Sequence, residues 1–224
     1  MIRALSGLLA KDLLVEWRAR APLFALACFV LTILLLFSFA VGADTAALRA
    51  HAGAYVWLSL LLTSTLLLGR SFQIETESGA LEALLLTPVP APALFFGKAL
   101  ANTILLVALA GVALPVAFVL FDMGLREGPV PLLAAVLLGA AGLAAPGTLY
   151  AGLTARLGAR QVLLPLLLFP LIVPCLLASV KATSLAFSGD PMGQIGSWLQ
   201  LLAAFDALYW SICALLFGKV IESA

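Results

Sequence analysis

The chain has 224 residues, 64% of them hydrophobic and 10% charged, with a formal net charge of +1. A soluble domain is nearer half apolar and a quarter charged, and a fold of this size cannot hide so much apolar surface from water. The composition is that of an integral membrane protein. It excludes a soluble enzyme, a nucleic-acid-binding domain and a secreted disulfide scaffold, and the near-zero net charge makes no case for an acidic partner.

At the N-terminus, Ile2, Leu5, Leu9, Leu13 and Trp17 recur at helical spacing, with Arg3, Lys11, Asp12, Arg18 and Arg20 at polar positions. The pattern predicts an amphipathic helix lying on the inner membrane face, and docking to a partner subunit is a compatible alternative. Six apolar segments follow: Pro22 to Gly42, Gly53 to Gly69, Lys98 to Phe121, Pro129 to Ala155, Gln161 to Val180 and Trp198 to Val220. Each is long enough to cross ~30 Å of hydrocarbon as a helix. The first, at about twenty residues, suits a retained span better than a signal h-region of ~7–15 residues. No stretch between the spans has the length of a soluble domain. Residues 1–224 therefore read as one all-α, six-span membrane domain.

With a cytoplasmic N-terminus, the inside holds Arg3, Lys11, Arg18, Arg20, Arg70, Lys98, Arg156, Arg160 and Lys219, and the outside holds Arg49, Arg126 and Lys181. This bias predicts both termini inside. Tyr55, Trp57 and Trp198 fall near predicted outer boundaries, where amphipathic rings belong.

The connection from Arg70 to Lys98 is the longest polar-containing one. Glu75 and Glu82 share one helical face, and Ile74, Leu81 and Leu85 share another. Thr87-Pro88 ends any helix, and Pro90 and Pro92 extend the break. The reading is a short coupling helix at the cytoplasmic surface and a rigid elbow into the third span, able to receive mechanical input from a soluble subunit. A solvated loop with ordinary surface acids is the competing reading.

The fourth span carries Ala140, Ala144, Thr148 and Gly152 on one stripe, with Gly139, Gly142 and Gly147 nearby, which predicts a close packing seam. The fifth holds Pro165, Pro170 and Pro174, read as a hinge or as prolines ordinarily tolerated in spans. Asp206 lies ~12 Å beyond Trp198 along the sixth span. An ionisable group there should face protein or water, as a hydrogen-bond pin or part of a polar path, with Lys181 as one candidate partner.

Gly97-Lys98 and Gly218-Lys219 are not phosphate loops. Pro92 and Cys213 stand where the earlier glycine is needed, and Ala99 and Val220 follow the lysines. The single histidine, His51, excludes a zinc-protease helix; it reads as a solvated loop residue, with axial haem ligation as the alternative. Cys28, Cys175 and Cys213 sit singly in apolar runs and read as buried free thiols rather than metal ligands. No catalytic set is legible, so the chain is not expected to be an enzyme.

Further stretches carry a resemblance. They are Lys11-Asp-Leu-Leu-Val-Glu-Trp-Arg, Leu36-Phe-Ser-Phe-Ala, Gly69-Arg-Ser-Phe, Glu75-x-Glu-x-Gly-Ala-Leu-Glu-Ala-Leu-Leu-Leu-Thr-Pro-Val, Phe96-Gly-Lys, Gly147-Thr-Leu, the triple-proline run from Leu163 to Pro174, and Ala204-Phe-Asp-Ala-Leu. Over nearly its whole length the chain resembles the haem exporter protein B family, CcmB, of cytochrome c maturation. The Glu-x-Gly-x-Leu-Glu core is shared more broadly with type-2 ABC export permeases. The resemblance implies a six-span subunit of the bacterial inner membrane, paired with a separate ATP-binding subunit that hydrolyses ATP. It also implies association with a haem-handling membrane protein and a small single-span protein, and indirectly with a periplasmic haem chaperone. Glu75, Gly79, Leu81, Glu82, Thr87 and Pro88 would form the segment touching the ATPase, with haem as cargo and no haem ligand assigned. The alternatives are a non-transporting scaffold of the haem-handling complex and a permease for another exported substrate.

Overall fold

The computed structural model describes residues 2–72, 90–154 and 160–223, and these form seven helices. They are α1 (Ile2–Arg18), α2 (Ala21–Val41), α3 (Thr45–Ser71), α4 (Ala91–Leu120), α5 (Pro129–Thr154), α6 (Arg160–Ser188) and α7 (Ile195–Ser223). By length and composition α2 to α7 are six candidate membrane spans, as expected, and the chain is an all-α, multi-pass membrane protein.

The element ends differ from the apolar runs because capping, not hydropathy, sets them. α3 begins at Thr45, where the Asp44 carboxylate accepts from the Ala47 N–H at 3.0 Å. Arg49 and His51 therefore lie on a helix, not in a loop. α4 begins at Ala91 behind an extended Pro90, with Pro92 in its first turn, so Lys98 stands two turns inside the helix. α6 carries Pro165, Pro170 and Pro174 inside it and runs on to Ser188, which keeps Lys181 helical as well. Asp190 opens α7 by accepting from the backbone N–H groups of Gln194 and Ile195, each at 2.8 Å.

α5 is the most covered span, with 72% of its most apolar 18-residue stretch buried against 17% for that of α2. Small residues make this possible. A Cβ on Gly139 would stand 2.1 Å from the Trp57 ring, one on Gly142 2.5 Å from Cys175 Sγ, and one on Gly147 2.4 Å from Leu68. Side chains of α3 and α6 thus occupy the space that a larger residue on α5 would fill, and the predicted seam lies within the chain. Trp57 is not an interfacial ring. It is buried, 1% exposed, and its Nε1 donates to Thr183 Oγ1 at 2.9 Å. Cys175 and Cys213 are buried, whereas Cys28 is exposed on the sparsely covered α2.

At the end of the bundle away from the termini, an Arg49–Asp122 ion pair ties α3 to the turn after α4. There Glu127 also accepts from the Asp190 N–H at 2.7 Å.

Candidate functional site

The expected coupling residues Glu75, Gly79, Leu81, Glu82, Thr87 and Pro88 lie outside the described residues. The chain on either side of them ends in a buried polar cluster, which the sequence reading did not anticipate. Lys98, on α4, is only 2% exposed. Its Nζ donates to the Ser71 carbonyl at the end of α3 at 2.9 Å and lies 3.6 Å from Asp12 Oδ2 on α1. It also sits over the Phe72 ring, 4.6 Å from the centroid. A buried ammonium is tolerated only when paired and hydrogen-bonded, and a carbonyl, a carboxylate and an aromatic face supply that here.

One turn further along α4, Asn102 Nδ2 donates to Thr148 Oγ1 on α5 at 2.9 Å and to Ser71 Oγ at 3.3 Å. Four helices are thereby joined: α1 through Asp12, α3 through Ser71, α4 through Lys98 and Asn102, and α5 through Thr148. Glu16, one turn beyond Asp12, is also buried, and its Oε2 has no hydrogen-bond partner among the described residues. It lines a cavity of about 60 Å³ with Asp12, Ser71, Lys98 and Asn102, room for a few waters.

The signal for this cluster was present as two i, i+4 pairs, Asp12/Glu16 and Lys98/Asn102. Each pair puts its polar groups on one face of a helix. Gly97-Lys98 lacks the other residues of a phosphate loop, and a lysine near a span end reads first as a topology charge, so its burial shows only once α1 and α3 pack against α4. As a structural element, the cluster clasps the last turn of α3 to the second turn of α4.

Neither Asp206 nor the three prolines of α6 belongs to this cluster. Asp206 is half-buried on α7, and its buried Oδ1 has no hydrogen-bond partner among the described residues. That oxygen lies 3.0 Å from where a Cβ on Gly142 would stand. The suggested Lys181 partner is not realised among the described residues, because α6 continues past Val180 and leaves Lys181 exposed. His51 is exposed on α3 with its ring 6.2 Å from Tyr55, which stacks on Phe37 at 4.5 Å. Among the described residues no group of three or more His, Cys, Asp or Glu side chains is arranged to hold a metal ion.

Comparison with known proteins places this geometry in a lineage. A family model described as CcmB protein matches residues 3–223. Heme exporter protein B of Pseudomonas aeruginosa is 33% identical over 207 residues, covering 91% of this chain and 91% of that protein. The protein of the same name from Bradyrhizobium diazoefficiens is 31% identical over 204 residues, covering 91% and 90%. That of Rhodobacter capsulatus is 36% identical over 175 residues, covering 76% and 78%.

Proposed function

The chain belongs to the CcmB family, and from that premise we propose that it is the membrane permease subunit of an ABC-type complex in cytochrome c maturation. It couples ATP hydrolysis by a separate ATP-binding subunit to haem export, or to release of the haem-loaded periplasmic chaperone. The curated relatives bear the name heme exporter protein B. The whole chain acts as one permease domain in the bacterial inner membrane, with both termini cytoplasmic. The excess of Lys and Arg on that side supports this orientation. A haem-handling membrane protein and a small single-span subunit complete the assembly.

The observation that carries the mechanism is the Lys98 clasp. In this reading the ATPase subunit touches a coupling helix built around Glu75, Gly79, Leu81 and Glu82 and stopped at Thr87-Pro88. The helix moves as ATP is bound and hydrolysed. The chain leaves α3 at Ser71 and enters α4 at Ala91, and Lys98 on α4 holds these two sides together through Ser71. The motion passes to α1 through Asp12 and to α5 through Asn102 and Thr148. α1 lies at the inner membrane surface and follows. Pro165, Pro170 and Pro174 let α6 bend as α5 shifts, and Asp206 on α7 faces Gly142 of α5 within the membrane.

The test is affinity purification of the chain from membranes in mild detergent, followed by haem flux and ATP turnover of the complex in vesicles. Recovery of an ATP-binding subunit with haem-handling proteins is expected. Recovery of neither would remove the coupling reading. Assembly with ATP turnover but without haem flux would favour release of the chaperone over export.

A further inference from the structure

α1, α2 and α4 do not close on one another. Between them runs an apolar groove of about 760 Å³, within the size range of ligand sites, lined by Leu13, Trp17, Phe24, Ile104, Ala108 and Val112 and carrying Arg20. The opening follows from the chain. The helix is interrupted at Ala19–Arg20, and Pro22 in the first turn of α2 removes a backbone donor. α2 therefore starts afresh beside α4 instead of continuing α1. Trp17 and Phe24 are left 71% and 72% exposed on either side of the break.

We propose that this groove binds an anionic phospholipid, its acyl chain along α4 and its phosphate on Arg20. Ile104, Ala108 and Val112 repeat every four residues, so the α4 wall is a straight apolar stripe about 12 Å long. A linear hydrocarbon chain matches that shape. Trp17, Arg18 and Arg20 sit where α1 gives way to the first span, the composition of a membrane–water boundary, so a headgroup is level with the guanidinium.

Charge separates the occupants. Arg18 and Arg20 are exposed and have no ion-pair partner among the described residues, while the acids of α1, Asp12 and Glu16, face the Lys98 cavity instead. An anionic lipid supplies the missing charge, whereas a zwitterionic one brings its own cation to the same place. A second copy docked about a two-fold axis would set the same concave, basic surface against itself, leaving a void and like charges opposed.

The full chain is reconstituted into vesicles doped with brominated phosphatidylglycerol or with brominated phosphatidylcholine. The quenching of Trp17 is read as the difference between the chain and its Trp17→Phe variant. Brominated phosphatidylglycerol is expected to quench Trp17 about fivefold more effectively at equal low mole fraction. Arg20→Gln should abolish that preference and Arg20→Lys should retain it. Equal quenching by the two lipids, or a preference that survives in Arg20→Gln, overturns the proposal. So does shielding of Trp17 from both lipids with disulfide linkage between copies carrying Phe24→Cys in a Cys28→Ser background, which would assign the groove to a second copy.

Discussion

Lys98 and Ser71 stand 27 positions apart in the chain, and the lysine ammonium donates to the serine carbonyl at 2.9 Å. The bond spans the segment that the family resemblance assigns to ATPase contact. With Asp12 on α1 paired to Lys98, and Asn102 bonded to both Ser71 and Thr148 on α5, the site is a junction of four helices and not a local cap. Lys98→Met would leave the Ser71 carbonyl without its donor and Asp12 with only the more exposed Lys11 as a cation. Removing one member of a buried pair is strongly destabilising, but Asp12 keeps some access to water, so a loss of about 2–3 kcal/mol is expected. Thermal denaturation in detergent measures it. An unchanged melting temperature would show that Lys98 does not hold the junction.

The α5 seam predicts opposite outcomes at two glycines. Gly139→Ala drives a methyl group to 2.1 Å from the Trp57 ring and 2.6 Å from Ser179 Oγ, and should cost about 1–3 kcal/mol. Gly69→Ala meets nothing within 4 Å on α3 and should be neutral or mildly stabilising through helix propensity. Comparing the two melting temperatures separates a packing requirement from a general intolerance of substitution.

Trp57 and Thr183 should be energetically coupled. Their buried hydrogen bond at 2.9 Å joins α3 to α6. A double-mutant cycle of Trp57→Phe and Thr183→Val is expected to return about 1 kcal/mol of coupling. Additive effects would mean that the bond contributes nothing beyond its two side chains.

Asp206→Asn should leave the bundle as stable as before or slightly more so. The carboxyl's buried Oδ1 has no partner to lose, and removal of an ionisable group from a spanning segment relieves a cost. A clear drop in melting temperature would reveal a hydrogen-bond pin at this position.

Glu82→Lys reverses the charge on the proposed coupling helix. Co-purification of the ATP-binding subunit should fall while the melting temperature of the isolated chain stays unchanged. Normal recovery of that subunit would remove Glu82 from the contact.

Much of this was legible from local pattern. The six spans could be counted because each apolar run must alone cross the bilayer. Their ends were read less well: Asp44 starts α3 before the apolar run, and Pro90 starts α4 ahead of Lys98. Trp57 illustrates the other shortfall. Its place near a span end suggested an interfacial ring, yet Gly139 opens room for it inside the bundle. A glycine on one helix and a tryptophan on another become a fit only when the helices are in contact.

The sequence by itself determined that this is an all-α, multi-pass membrane protein of the CcmB family with six candidate membrane spans, because apolar run length, composition and motif spacing are properties of contiguous residues. The tertiary structure alone decided that Asp12, Ser71, Lys98, Asn102 and Thr148 meet, that Asp206 and Lys181 do not, and that α1, α2 and α4 leave a groove with Arg20 in it. A buried ammonium is stabilised or penalised by whatever stands within a few ångströms of it, and those neighbours come from helices that packing, not sequence order, brings side by side.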